Sequence, residues 1–214
     1  MAQEVTFAGR LISVDGSRGK DVDAAAAAIV AALRKTGVDC AISRWDASGL
    51  FGELLVAAPS EQDASVRTLS LVYAADLAFR LRWEIRPVLE SGGIVVAAGY
   101  VETAVAFGAS CGLREEWLRQ LLRFAPATDL RGRTKERKSA GAWKRRADRG
   151  YPEYAVRMAE ASLAKGASKR ARRDMIRRLD ELRGRRTFTL TKKGIRSIVQ
   201  AATGTRTDGP RRSA

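Results

Sequence analysis

Residues 14–21 carry the clearest chemical signal in this sequence. They place Gly16 and Gly19 ahead of Lys20, between an apolar run and an alanine-rich segment. Backbone N–H groups of a glycine turn and the N-terminus of a following helix attract phosphate, and a lysine adds a mobile positive charge. The segment therefore indicates a phosphate-binding loop. Its candidate phosphate contacts are Gly16, Ser17, Arg18, Gly19, Lys20 and Asp21, and Asp21 is also the candidate metal ligand.

The match to the phosphate-loop pattern GxxxxGK[ST] is incomplete at two chemical positions. Val14 stands in place of the first glycine, and Asp21 stands where a hydroxyl would bind Mg²⁺. A one-residue insertion at Arg18 gives a second way to align the segment. The alternative interpretation is an ordinary glycine turn between a strand and a helix, since such turns are common without any ligand.

The elements around this loop alternate between strand and helix patterns. Unbroken apolar runs predict strands that are covered on both faces, and apolar residues at helical spacing predict the helices between them. The predicted strands are 10–15, 38–43, 94–98 and 186–191. The predicted helices are 22–35, 52–58, 65–90, 102–109, 115–124, 142–147, 154–165, 168–183 and 192–202. This alternation predicts a layered α/β fold with a mostly parallel sheet.

Positive charge is concentrated in the C-terminal part of the chain. The 214 residues include 39 Lys and Arg against 24 Asp and Glu, a net charge of +15. Residues 1–125 hold 13 basic and 15 acidic residues, whereas residues 126–214 hold 26 and 9, a net charge of +17. We expect a near-neutral body followed by a segment that contacts nucleic acid or an acidic partner. A solvated, arginine-rich surface is the alternative.

The composition also excludes several chemistries. The sequence has no histidine, which rules out a Ser-His-Asp triad, a Cys-His pair and a His-ligated zinc or haem. Cys40 and Cys111 cannot form a CxxC cluster, so we expect reduced thiols in a cytoplasmic protein. The longest apolar run spans residues 24–33, far below the roughly 20 residues needed to cross a bilayer. We therefore expect no membrane association and no secretion signal.

Short phrases within residues 10–125 follow one another in a recognisable order. They are DGSRGKD at 15–21, an alanine-rich helix, RWDASG at 44–49, FGELL at 51–55, VYAADL at 72–77, IRPVLESG at 85–92 and AGYVETAVAFG at 98–108. In this order they resemble the thymidylate kinase family of nucleoside monophosphate kinases. The resemblance continues weakly to about residue 166. It implies a three-layer P-loop fold, with a basic helical extension in this chain, and a homodimer.

The resemblance also implies roles for individual residues. Lys20, Arg44 and Arg149 would be catalytic, and ATP with Mg²⁺ would be the cofactors of an active enzyme, otherwise none. The acceptor nucleotide, dTMP or a relative, would contact Arg44, Tyr73, Tyr100 and Thr103, with Tyr73 stacking on the base. Lid arginines would be Arg133, Arg145, Arg146 and Arg149. The alternatives are a core role for Tyr73 and Tyr100, an ordinary loop charge for Arg44 and general basicity for the lid residues.

Several positions depart from the family pattern where charge is needed. Ala98 and Gly99 replace an Asp-Arg pair, Leu77 replaces an arginine, and polar residues 129–138 are expected to replace the fourth strand. Phosphoryl transfer depends on positioning and charge neutralisation, so these losses favour a nucleotide-binding pseudokinase. The alternatives are a divergent active kinase and a non-enzymatic structural or nucleic-acid-binding subunit. The predicted division is a kinase-like domain at 1–166, a basic helix–strand–helix extension at 167–203 and a disordered tail at 204–214.

Overall fold

Five parallel strands form one sheet at the centre of the molecule. The computed structural model describes residues 7–17, 19–50, 65–134, 165–182 and 186–204. The strands are β1 Arg10–Asp15, β2 Cys40–Ser43, β3 Ile94–Ala98, β4 Leu130–Thr134 and β5 Thr187–Leu190. Their order across the sheet is β2-β3-β1-β4-β5. This sheet, with helices on both faces, confirms the predicted three-layer α/β fold.

The helices follow the predicted order, with small shifts at their ends. They are α1 Gly19–Arg34, α2 Val66–Arg80, α3 Arg86–Glu90, α4 Val101–Ser110, α5 Glu115–Leu121, α6 Lys165–Glu181 and α7 Lys192–Thr203. A π-helical turn, Leu81–Ile85, joins α2 to α3, so the single helix predicted over 65–90 has three parts. The helices predicted at 52–58 and 142–147 and most of 154–165 lie outside the described residues, as do residues 205–214.

The two faces of the sheet are covered by different helices. Leu11 points into a core formed with α2, α4, α5 and α6, whereas its neighbour Ile12 points into a core formed with α1 and α7. All five residues of β3 are buried, as the unbroken apolar run predicted. Within the described part of the chain, every helix is too short or too polar to span a bilayer.

The strand register brings the ends of β1, β2 and β3 to one edge of the sheet. Val14 pairs with Ala98, and Ser43 pairs with Ala97. Because the strands are parallel, their carboxyl ends and the turns that follow them lie together. In open α/β sheets ligands bind at this carboxyl edge. The predicted phosphate loop, the loop that begins at Arg44 and the turn at Gly99 therefore share one location.

The expectation that polar residues 129–138 replace the fourth strand was wrong for 130–134. Leu130, Gly132 and Thr134 are buried on β4, and the intervening arginines are half-buried. Gly132 suits this strand because a Cβ there would lie 2.9 Å from the Leu190 side chain on β5. Between two neighbouring strands, backbone hydrogen bonds stabilise β4 even though its sequence is polar.

The segment predicted as a basic extension contributes to the same sheet. β5 is hydrogen-bonded to β4, and the buried face of α7, with Ile198 and Val199, packs in the core that α1 covers. On the other face, Met175 and Leu179 of α6 lie in the core with Phe107 of α4. The domain boundary between residues 166 and 167 stays a prediction.

Candidate functional site

The turn from β1 to α1 is short and tightly packed. Strand β1 ends at Asp15 and α1 begins at Gly19, which leaves three connecting residues. A Cβ on Gly16 would lie 2.1 Å from Thr134 Oγ1 and 2.9 Å from Val22 Cγ2, so only glycine fits against β4 and α1. The phosphate-loop pattern has four residues between its glycines, and residues 15–18 are the four that separate Val14, which replaces the first glycine, from Gly19. The segment therefore has the length of the full pattern but lacks its first glycine.

The remaining predicted loop residues differ in exposure. Ser17 and Gly19 are buried, Lys20 is exposed on the first turn of α1, and Asp21 is half-buried beside it. Arg18 lies outside the described residues. A cation and a carboxylate that could meet the phosphates and Mg²⁺ of a nucleotide are thus present. Elsewhere in the described ranges no cluster of three or more acidic or cysteine side chains could hold a metal ion by itself.

Asp15, the last residue of β1, caps helix α4, which follows β3. Its side chain is fully buried, and Oδ1 accepts hydrogen bonds from Tyr100 N at 3.1 Å, Thr103 N at 3.0 Å and Thr103 Oγ1 at 2.8 Å. Unpaired N–H groups at a helix N-terminus attract negative charge, and the carboxylate satisfies them. Tyr100 and Thr103, which we predicted as substrate contacts, are therefore close together but bound to the chain's own carboxylate.

Arg80 is a fully buried cation at the carboxyl edge. Its side chain is 0% exposed, at the end of α2. Nη1 donates to Gly99 O at 2.9 Å, Nη2 donates to Ala98 O at 3.2 Å and to Ser43 O at 3.1 Å, and Nε donates to Ser43 Oγ at 2.8 Å. Ser43 Oγ in turn donates to Glu84 Oε2 at 2.6 Å. One guanidinium thus ties the ends of β2 and β3 to α2.

The loop at 44–49 follows β2 and is attached to helix α2 by Asp76. This carboxylate is fully buried and accepts from Asp46 N at 3.2 Å, Ser48 N at 2.9 Å and Ser48 Oγ at 2.8 Å. The backbone of Asp46 is left-handed, with φ of 58°, a conformation that Asp tolerates better than most residues. Arg44, the predicted clamp, begins this loop and is exposed.

Two buried tyrosines, Tyr73 and Tyr100, are packed beneath Trp45 of this loop. Tyr73 is fully buried, and its hydroxyl donates to Tyr100 O at 2.7 Å. The Trp45 ring stacks on the Tyr73 ring with centroids 4.8 Å apart and planes 25° apart. Burial raises the pKa of both tyrosine hydroxyls, so they are neutral donors. Tyr73 therefore lies in the core, which was the alternative to its predicted contact with a base.

The carboxyl group of Asp23 on α1 interacts with positive charges outside that helix. Burial raises the pKa of the Asp23 carboxyl, and the positive charges of Arg44 and Arg80 partly oppose this shift.

Arg133, predicted in the lid, instead lies on β4, where it donates to Asp180 Oδ1 at 2.6 Å and to Thr189 Oγ1 at 3.1 Å. Arg145, Arg146 and Arg149 lie outside the described residues.

Comparison with known proteins identifies relatives of one kind. A thymidylate kinase of Rhizorhabdus wittichii is 30% identical over 131 residues, which are 59% of this chain and 62% of that protein. A probable thymidylate kinase of Pyrococcus abyssi is 30% identical over 57% of this chain and 62% of its own length. A thymidylate kinase of Thermomicrobium roseum is 33% identical over 53% of this chain and 55% of its own length.

Over this part of its length the chain is similar to thymidylate kinases. It spans between 55% and 62% of the length of these three relatives. No protein-family model matches the chain.

Sequence reasoning did not identify three charged residues of this site, which are Asp15, Asp76 and Arg80. A signal for two of them was present. Tyr73, Leu77 and Leu81 mark the apolar stripe of α2 and its π-helical continuation, and Asp76 and Arg80 fall on the same face four residues apart. Charged side chains on an apolar stripe are buried only when they are paired, so they indicate an internal polar network.

Proposed function

We propose that this chain is a nucleotide-binding pseudokinase, in which phosphoryl transfer to a nucleoside monophosphate is reduced or lost. The observation that carries the proposal is the burial of Arg80. Its guanidinium donates to the carbonyl groups of Ala98 and Gly99. These two residues replace the Asp-Arg pair of the thymidylate kinase pattern. A positive group that is 0% exposed cannot touch the phosphate of an acceptor.

The electrostatics of the carboxyl edge support the same conclusion. The N-terminus of α4 would attract an anion, but Asp15 already fills that role. The predicted phosphate loop also lacks its first glycine, which Val14 replaces. Catalysis of phosphoryl transfer relies on preorganised positive charge around the moving group, and one lost contact of this kind costs roughly 2–4 kcal/mol of transition-state stabilisation.

The alternative is a divergent active kinase. In that case ATP supplies the phosphoryl group and Mg²⁺ neutralises charge on it. Lys20 would contact the phosphates, Asp21 would hold the metal and Arg44 would clamp the acceptor. The exposure of Lys20 and Arg44 and the half-burial of Asp21 are compatible with these roles.

Phosphoryl transfer is tested with purified full-length chain, ATP, Mg²⁺ and a panel of nucleoside monophosphates. The pseudokinase proposal predicts that acceptor-dependent ADP formation is at or close to the level of the protein-free blank and does not depend on Lys20. Lys35→Ala is the matched control for Lys20→Ala, because both lysines are exposed and near opposite ends of α1. Acceptor-dependent ADP formation that persists in Lys35→Ala and disappears in Lys20→Ala would overturn the proposal in favour of the active kinase.

A structural or nucleic-acid-binding role is favoured by one surface. Lys192, Lys193 and Arg196 are exposed on α7, and none of them contacts an acidic side chain within the described ranges. Uncompensated positive charge on one helix suits a phosphate backbone or an acidic protein. Such a role is compatible with the pseudokinase, and a cytoplasmic location remains a prediction.

The homodimer implied by the resemblance also remains a prediction. Leu71, Phe79 and Trp83 are 47%, 40% and 65% exposed on α2 and the π-helical turn. These apolar side chains would suit an interface between copies of the chain. Sedimentation of the wild type against Trp83→Glu tests this, and an unchanged mass would contradict an interface there.

A further inference from the structure

Helices α1 and α7 begin at the same edge of the sheet and lie on the same face of it. Helix α1 follows β1 and helix α7 follows β5, so both start at the carboxyl edge. The two helices pack against each other, and Ile29 of α1 and Ile198 of α7 belong to one apolar core. Only β4 lies between β1 and β5. Because neighbouring strands are about 4.8 Å apart, the first turns of the two helices are about 10 Å apart.

Thr134 at the end of β4 fixes this juxtaposition from both sides. It pairs with Leu190, the last residue of β5, and a Cβ on Gly16 would overlap its hydroxyl. Lys20 lies four residues after Gly16, and Lys192 lies two residues after Leu190. The lysines in the first turns of α1 and α7 are therefore placed on either side of the end of β4.

Four cations, which we call the α1–α7 row, are exposed at this place. None of them has an acidic partner in the part of the chain that the structure describes. They are Lys20, Lys192, Lys193 and Arg196. By contrast, Arg177 on α6, which covers the other face of the sheet, is paired with Asp174 and Glu181.

The charges of the α1–α7 row are unfavourable for the fold by themselves. Lys20, Lys192 and Lys193 lie in the first turn of their helices, where the positive end of the helix dipole disfavours a cation. Lys192 and Arg196 are four residues apart on α7, a spacing at which like charges repel each other. A bound polyanion removes both penalties. The row is therefore better explained by a ligand than by stability.

A nucleic-acid strand fits the length of the row. Its phosphates recur about every 3.4 Å along a duplex, so the roughly 10 Å between the two helices corresponds to about three phosphates. Lysine and arginine contact phosphate oxygens without reading the bases, so we expect no sequence preference. A second copy of the chain is disfavoured as the occupant, because its own net charge of +15 is repelled by the row.

We propose that the α1–α7 row is one binding site for a nucleic-acid backbone, with one phosphate at Lys20 and the neighbouring phosphates along α7. The inference rests on the proposed phosphate contact at Lys20 and extends it from a mononucleotide to a polynucleotide. Since a nucleotide and a strand both require Lys20, the two ligands exclude each other. The phosphate loop and the basic helix are then parts of the same site rather than separate binding surfaces.

Fluorescence anisotropy with a short labelled DNA, as a single strand and as a duplex, tests the proposal. At about 50 mM salt we expect Lys20→Ala to weaken binding about five- to tenfold, and to reduce the slope of log K against log salt by about 0.7–0.9, the contribution of one phosphate contact. Lys35→Ala is the matched control, because Lys35 is exposed near the other end of α1. We expect that variant to leave both quantities unchanged. The form of DNA that binds more tightly identifies the ligand as single-stranded or duplex.

Further measurements guard against an indirect effect of Lys20→Ala on the turn. Lys20→Arg keeps the charge, so we expect its salt slope to equal that of the wild type. ATP and inorganic tripolyphosphate, which has no base, should each displace the DNA from the wild type. Equally tight DNA binding by Lys20→Ala and the wild type would overturn the proposal, and so would failure of both anions to displace the DNA. Tighter binding of polyglutamate than of DNA would overturn it in favour of an acidic protein partner.

The outcome is separable from that of the pseudokinase proposal. Acceptor-dependent ADP formation by the wild type would overturn the pseudokinase and leave the comparison of DNA affinities valid. Equal DNA affinity in Lys20→Ala and the wild type would overturn the shared site and leave the absence of phosphoryl transfer unaffected. If ATP fails to bind, displacement by tripolyphosphate still tests whether the row includes the phosphate loop.

Discussion

Nη1 of Arg80 donates to the carbonyl oxygen of Gly99 at 2.9 Å, which joins the end of α2 to the turn that follows β3. A buried guanidinium is costly to desolvate, and here every one of its recorded acceptors is a neutral oxygen. The arrangement stabilises a turn that lacks side chains to hold it, since Gly99 follows Ala98. Arg80 therefore has a structural role at the carboxyl edge of the sheet, where ligands bind in open α/β folds.

Replacement of Arg80 should destabilise the fold. Arg80→Met keeps much of the volume but removes the guanidinium that donates to the carbonyls of Ser43, Ala98 and Gly99. We expect the free energy of unfolding to fall by about 3–5 kcal/mol, because several buried hydrogen bonds to a charged group are lost together. Urea denaturation measures this. Arg82→Met, at an exposed arginine stacked over Trp83, should change the unfolding free energy by less than about 1 kcal/mol.

Gly16 should be required for stability even when no nucleotide is present. A methyl group at this position would overlap Thr134 Oγ1, so Gly16→Ala should lower the unfolding free energy by about 1–3 kcal/mol. The double variant Gly16→Ala with Thr134→Ala removes that hydroxyl and should recover part of the loss. Thermal denaturation without ligand provides the comparison. A Gly16→Ala protein as stable as the wild type would contradict a packing role.

The sequence predicted those elements whose pattern is local. The apolar runs at β1 and β3 and the periodicity of α1 and α4 arise from burial that each segment needs by itself. Strand β4 could not be found this way, because Arg131 and Arg133 are accommodated by partners far along the chain. Arg131 is paired with Glu102 on α4, and Arg133 with Asp180 on α6.

The candidate site was only partly predictable for the same reason. Residue spacing indicated a glycine turn and placed Lys20 on the first turn of a helix, and both are present. It could not indicate that Asp15 caps α4, since that contact joins residues 85 to 88 positions apart in the chain. It also left the role of Tyr73 open, because a base and the Trp45 indole present similar planar surfaces.

Cys111 should react slowly with alkylating reagents at neutral pH. Burial raises its pKa to about 11, although a hydrogen bond with Ser110 opposes the shift. The thiolate is the reactive form, so at pH 7.5 its fraction is about two orders of magnitude below that of a free cysteine. The rate should rise about tenfold for each pH unit between 8 and 10. Cys111→Ser separates this reaction from that of Cys40, and a fast rate at pH 7.5 would contradict the burial.

Binding of single-stranded or duplex nucleic acid should depend on salt through the exposed charges of α7. We expect the triple variant Lys192→Ala, Lys193→Ala and Arg196→Ala to weaken binding and to reduce the slope of log K against log salt by about 2 to 3, since each lost phosphate contact lowers it by about 0.7–0.9. A control triple at exposed arginines away from α7 is Arg82→Ala, Arg114→Ala and Arg123→Ala. Fluorescence anisotropy from 50 mM to 300 mM salt, about the range over which counterion release is measured, tests both. Equal slopes for the two triples would mean that charge anywhere on the surface is sufficient, and α7 would then have no specific role in contacting a polyanion.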